Sequence, residues 1–315
     1  MQVSVGHDPL AGLPELPFEE WNPTRETIRL YLQIVGKIQL ASAPPKNHWW
    51  HVTFHSTARG ISTHLMRNAA IAFEIEFDFI DHELVVRTDD GRIEKLPLRD
   101  GVSVADFYRQ LFALLRKLGI ELEILAESYG DPTPIPFPDD EAHASYDAEF
   151  VTRFWRVLAA SAEVLEEFAG WFNGKTSPVH LFWHGTDLAV TRFSGRRAPE
   201  MPNAGRVSQE AYSHEVISFG FWAGDESVGA PTYYSYTAPE PPDLTGQPLR
   251  PEAARWVELV SSHQARIAYE DVRVADSPRE ALLSFLQSAY EAGARTAGWP
   301  MEDLASTWAP ASLSP

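Results

Sequence analysis

The 315-residue chain contains no cysteine. Disulfides, thiolate nucleophiles and cysteine-ligated zinc are therefore excluded. Positive charge is scarce: 26 Lys and Arg stand against 44 Asp and Glu, a formal net charge of −18. That average field repels a phosphate backbone and an anionic bilayer, so neither nucleic acid nor membrane is an expected partner. No apolar run approaches the roughly 18 residues of a membrane helix. The opening MQVSVGHDPLAGLPELPFEEW has neither the basic start nor the apolar stretch of a signal peptide. A cytoplasmic location is the resulting expectation. GxSxG, GxxxxGK[ST], GxGxxG and HExxH are also missing, so no nucleophile elbow, phosphate loop or zinc-protease helix announces a reaction.

What is present suffices for a large core, since hydrophobic residues make up 44% of the chain. Residues 1–23, rich in Pro, Gly and Glu, read as a surface segment. Apolar spacing predicts a helix from Thr24, its N-cap, to about Ala43, where Pro44-Pro45 ends it. HWWHVTFHST (48–57) and GISTHLM (60–66) read as strands. AIAFEIEFDFI (70–80) alternates apolar and acidic residues, as a strand with one wet face does. ELVVRT and RIEKLPL follow, then a helix capped by Ser103, and IELEILA (120–126) as a short strand. Residues 129–148, with four prolines and many acids, read as a linker. A long helix opens the remainder, followed by strands at SPVHLFWH, DLAVTRFSG, HEVISFGFW and PTYYSYTAP. PEAARWVELVSS (251–262) reads as a helix with Pro251 in its first turn, RIAYEDVRV as a strand, and the stretch from Ser277 as the closing helix.

The halves 24–128 and 149–315 share the order helix, hairpin, alternating strand, further strand, helix. His51-Val-Thr-Phe-His55 also matches His180-Leu-Phe-Trp-His184, 129 residues later (180 − 51). The expected fold is α+β, with two related halves from an internal duplication. Mostly antiparallel sheets would be covered by helices and packed as one compact unit. NHWWHV, WHGTDLAVTRFSGR, YSHEVISFGFW and YYSYTAPEP together resemble a bacterial family catalogued only as a domain of unknown function. The resemblance spans nearly the whole chain; it implies a bacterial source and a single family unit, and carries no chemistry.

The spacing of His51 to His55, repeated in His180 to His184, suits chelation on a helix. Val, Thr, Phe and Trp between them favour a strand instead, where residues four apart are separated by about 13 Å. One such strand cannot chelate alone. A metal would need ligands from several strands, with His214, Asp187 or Glu215 contributing. The competing reading of each histidine is packing beside aromatic rings. Trp50, Asp187, Arg192, Tyr234 and Tyr236 complete the candidate ligand-binding set. Arg192, among apolar strand residues, either pairs with a buried carboxylate or awaits an anion; with 44 acids available, the internal pair is favoured. Ser213 beside His214 is discounted as a catalytic dyad because strand neighbours face opposite ways. Two functions stay open: a small-molecule-binding protein, with or without catalysis, taking a polar or anionic metabolite, and a non-catalytic interaction protein. No cofactor is implied.

Overall fold

The computed structural model describes residues 8–307, so the first seven residues of the expected surface segment lie outside the described residues. Contacts divide the chain into two compact units. The first comprises residues 16–159 and 180–187. The second comprises 8–15, 160–179 and 188–307. These are not the halves expected from composition. Residues 129–148 belong wholly to the first unit, and the boundary falls inside a helix. The Pro/Asp-rich stretch is anchored there by Phe137, Asp140 and Tyr146, all buried. Its backbone also accepts hydrogen bonds from Gly101, Val104 and Ala105.

In the first unit, α1 (Phe18–Ser42) starts one and a half turns before Thr24. Glu19 and Glu20 in its first turn favour the positive end of the helix dipole, and Phe18 and Trp21 are buried, which carries the helix back past the start expected at Thr24. The helix stops before Pro44, as expected. β1 (Thr53–Ser56), β2 (Gly60–Ser62), β3 (Met66–Asn68), β4 (Ile71–Asp78), β5 (Glu83–Thr88) and β6 (Ile93–Pro97) follow, then α2 (Val104–Lys117). Residues 120–126 form no strand. The acidic face of β4 is only partly wet: Glu74 stays half-exposed, whereas Glu76 and Asp78 are buried and met by Arg87 and Arg59 at 2.7 and 2.5 Å.

The long helix α3 (Ala148–Gly170) leads from the first unit into the second, and β7 (His180–Phe182) returns to the first. Strand order in that unit is β7-β1-β2-β4-β5-β6, with β3 on β4, and every pairing with a given register is antiparallel. The second unit holds β8 (Asp187–Arg197), whose first residue belongs to the first unit, then α4 (Arg206–Ala211), β9 (His214–Trp222) and β10 (Thr232–Ala238). β11 (Arg255–Glu258), β12 (His263–Ala268), α5 (Tyr269–Arg273), α6 (Pro278–Thr296) and α7 (Met301–Leu304) complete it. Its strand order is β8-β9-β10-β12-β11. The helix expected over 251–262 is strand β11, because Trp256 and Val257 find a partner ladder in β12, and tertiary pairing overrides a weak helical pattern. No helix among the described residues is long and apolar enough to cross a membrane.

Ser103 caps α2 as expected, its hydroxyl accepting from the Asp106 amide at 3.0 Å. Ser103→Ala should lower stability by about 1 kcal/mol in urea denaturation, the usual effect of losing such a cap.

Candidate functional site

The two H-x-x-x-H segments lie side by side in the first unit. β1 and β7 are antiparallel neighbours, with Thr53 opposite Phe182 and Phe54 opposite Leu181. The paired stretch ends there, and one step beyond it stand His55 on β1 and His180 on β7. Two polar residues of α1 hold the backbones of these segments. Gln39 Nε2 donates to the carbonyls of His51 and Thr53 at 2.8 and 2.9 Å. Gln33 Nε2 donates to the carbonyls of His184 and Tyr129, both at 3.2 Å. A bare Gly36 on the same helix lets the Trp183 indole lie against the backbone: a Cβ there would stand 2.2 Å from the ring.

The expectation that Trp49 and Trp50 occupy a strand is corrected. β1 starts only at Thr53, and residues 47–50 form a tight turn in which His48 and Trp49 both take left-handed backbone, φ 56° and 61°. Two consecutive non-glycine residues in this region cost roughly 1–3 kcal/mol each and persist only where their surroundings hold them. The turn brings Trp50 edge-on to His180, 6.3 Å between ring centroids, and His48 to Trp50 at 5.4 Å. His51 is buried, and its Nδ1 accepts from the Lys46 amide at 3.1 Å, which places its proton on Nε2. The His55 and His64 rings lie 5.2 Å apart.

Burial makes these imidazoles neutral bases. His51, His55 and His64 are each held below the ordinary histidine value, chiefly by desolvation. His180, 3% exposed, is pushed down to about 3 by burial, with His64 adding repulsion. Two imidazole nitrogens are buried with no hydrogen-bond partner among the described residues, His180 Nε2 and His55 Nδ1, as are the indole nitrogens of Trp49 and Trp183. An unpaired buried polar atom costs about 1–3 kcal/mol, so this strand pair carries a deficit that a polar ligand can relieve. No group of three or more His, Cys, Asp or Glu among the described residues is placed to hold a metal ion. His184 is exposed and packs on Tyr129 and Phe182. Asp187 sits half-buried at the start of β8.

The remaining candidates belong to the second unit. Arg192 is 1% exposed but has no carboxylate within ion-pair distance among the described residues, against the expected internal salt bridge. Its guanidinium lies over the Phe168 ring at 3.6 Å and near Tyr290 and Phe172 at 4.5 and 5.0 Å, and it donates to the Phe168 carbonyl. Cation–π attraction from several desolvated rings takes the place of a counter-ion, although burial still lowers its pKa to about 9. Glu215 is already engaged by Ser194 Oγ at 2.8 Å and by Arg196 at 2.7 Å. Tyr234 and Tyr236 stack with centroids 6.2 Å apart, and Tyr236 meets the Tyr212 hydroxyl at 3.2 Å.

The argument against a Ser213–His214 contact fails, because β9 begins at His214 and strand alternation does not reach Ser213. Ser213 Oγ and His214 Nδ1 are 3.2 Å apart. The hydroxyl proton, however, goes to the Glu210 carbonyl at 3.0 Å. His214 Nδ1 is then left to donate to the hydroxyl, the reverse of general-base activation.

Gln33, Gln39 and His64 are not singled out by the sequence. His64 had a signal, a third histidine on a neighbouring short segment; the glutamines had none, since their role depends on which backbone α1 meets. No curated protein and no solved structure matches the chain. Residues 13–306 match the model of DUF5996, a family of unknown function, and the chain belongs to that family.

Proposed function

We propose that this protein binds a small, neutral polar ligand at the imidazole–indole cluster formed by β1, β7 and the 47–50 turn. The observation that carries this reading is the pair of unpartnered imidazole nitrogens, His180 Nε2 and His55 Nδ1, on the neighbouring strands β7 and β1, with Trp50 against His180. Neutral imidazoles offer a donor or an acceptor according to tautomer, and indole faces stack on flat or sugar rings. The set suits a sugar or nucleobase better than a strong anion, because the imidazoles are uncharged at neutral pH and the fields that reach them come from both signs, from Lys46 as well as from Glu74 and Glu76. The strained backbone at His48 and Trp49 supports the same reading, since such strain collects at ligand clamps.

The duplication belongs to this proposal too. The register sets Thr53 opposite Phe182, the residue 129 positions later, the same spacing as His51 to His180. An antiparallel pair has a local two-fold axis, so the pairing supports two copies of one strand. The order β1-β2-β4-β5-β6 in one unit and β8-β9-β10-β12 in the other, each following a long helix, supports it further.

A thermal-shift screen of free sugars, nucleosides and nucleobases tests the binding reading. At least one compound should raise the melting temperature saturably, and the rise should vanish in His55→Phe, a half-buried position where an aromatic ring is tolerated. A flat response across the panel, with a folded protein, would favour the interaction-protein reading instead.

A further inference from the structure

The second unit holds a feature unrelated to the histidine cluster. β11 and β12 pair with Arg255 directly opposite Arg266. Like charges in directly opposed positions destabilise a ladder, and in a chain of net charge −18 there is no shortage of acids to separate them. Yet neither arginine forms an ion pair among the described residues. Arg266 Nε donates to Gln264 Oε1 at 2.6 Å, an uncharged partner. The carboxylate whose field reaches Arg266 belongs to Asp225, and its Oδ1 is engaged by the Ser227 amide and hydroxyl and the Val228 amide. Both arginines line a cleft of about 270 Å³ walled by Ser227, Val228, Thr232 and Val257.

We propose that this cleft is an anion site for a phosphate dianion, either free phosphate or the phosphate of a small monoester. Two guanidinium forks on facing strands present donors matched to a tetrahedral oxyanion. A dianion between them converts their repulsion into two attractions, where a single carboxylate would compensate only one. At about 270 Å³ the cleft is slightly smaller than the roughly 300–1,000 Å³ typical of ligand pockets, which limits the occupant to a compact molecule. The inference stands on residues of the second unit and is independent of the proposal for the histidines.

The test is calorimetric titration of the full chain with inorganic phosphate and with glycerol 3-phosphate, against chloride at matched ionic strength. Wild type should bind one equivalent saturably. Arg255→Gln and Arg266→Gln should each weaken binding about ten- to a hundredfold, the loss expected for a charge-assisted hydrogen bond. Tighter binding of the monoester identifies an organic phosphate as the ligand, and equal binding identifies a site for the dianion alone. Without anion, Arg255→Gln should melt higher than wild type, because the facing charges are relieved. Phosphate also stabilises proteins non-specifically by exclusion from their surface, so a linear rise shared by wild type and variants overturns the proposal. So do equal affinities in wild type and Arg255→Gln, an exposed position where the fold is not at risk.

Discussion

Gly36→Ala is expected to destabilise the protein by about 3 kcal/mol, the upper part of the range for overpacking a closed core. Helix propensity alone gives the opposite sign, since alanine is better than glycine inside a helix by about 1 kcal/mol. The clash decides the outcome. The new Cβ would lie 2.2 Å from Trp183 Cγ and 2.4 Å from both Cδ1 and Cδ2, so the flat ring as a whole, and not a flexible tip, stands in the way. Trp183 is buried and follows Phe182 at the end of β7, and Gln33 holds the next carbonyl, at His184. The ring cannot retreat without carrying the histidine strand with it. Guanidinium denaturation of Gly36→Ala measures the loss, and adding Trp183→Leu should recover part of it by removing the obstructing ring. A variant as stable as wild type or more so would mean that α1 and β7 do not meet this closely.

The second large effect is the response to acid. The His180 pKa falls from 6.5 in the unfolded chain to about 3 in the fold, because burial penalises the charged ring. As pH drops below 6.5, the unfolded chain takes up a proton that the folded one refuses, so stability falls; above 6.5 the group contributes nothing. The loss runs at about 1.4 kcal/mol per pH unit until the folded value is reached. Between pH 7 and pH 5 it amounts to about 2 kcal/mol from His180 alone. Denaturation of wild type and His180→Phe at both pH values isolates this share, since the carboxylates affect both proteins alike. The variant should lose about 2 kcal/mol less than wild type over that interval. Parallel losses would show that His180 is protonated in the fold.

The sequence showed most of the strands and the reasons for them. The alternation in β4, the cap at Ser103 and the apolar runs of β8, β9 and β10 survive because each rests on local pattern. What was hidden depends on partners far along the chain. HWWHVTFH looked like one strand, but His48 and Trp49 adopt left-handed backbone that no propensity predicts for such residues. PEAARWVELVSS had a helical start and became a strand because β12 offered a ladder. Arg192 was expected to find an acid and found a ring of aromatics. The opposition of Arg255 and Arg266 could not be read at all, since register between strands is not written in either one alone.

The central claim is that His55 and His180 present unpaired nitrogens to a ligand beside Trp50. The most direct measurement is ¹⁵N–¹H correlation of the histidine and tryptophan side chains at pH 7, with and without sugars and nucleobases. The account predicts neutral rings at both histidines, and on addition of a binding compound a concerted shift of His55 Nδ1, His180 Nε2 and the Trp50 indole that saturates with one equivalent. Unmoved ring signals at both histidines, in the presence of a compound that demonstrably binds the protein, would contradict it.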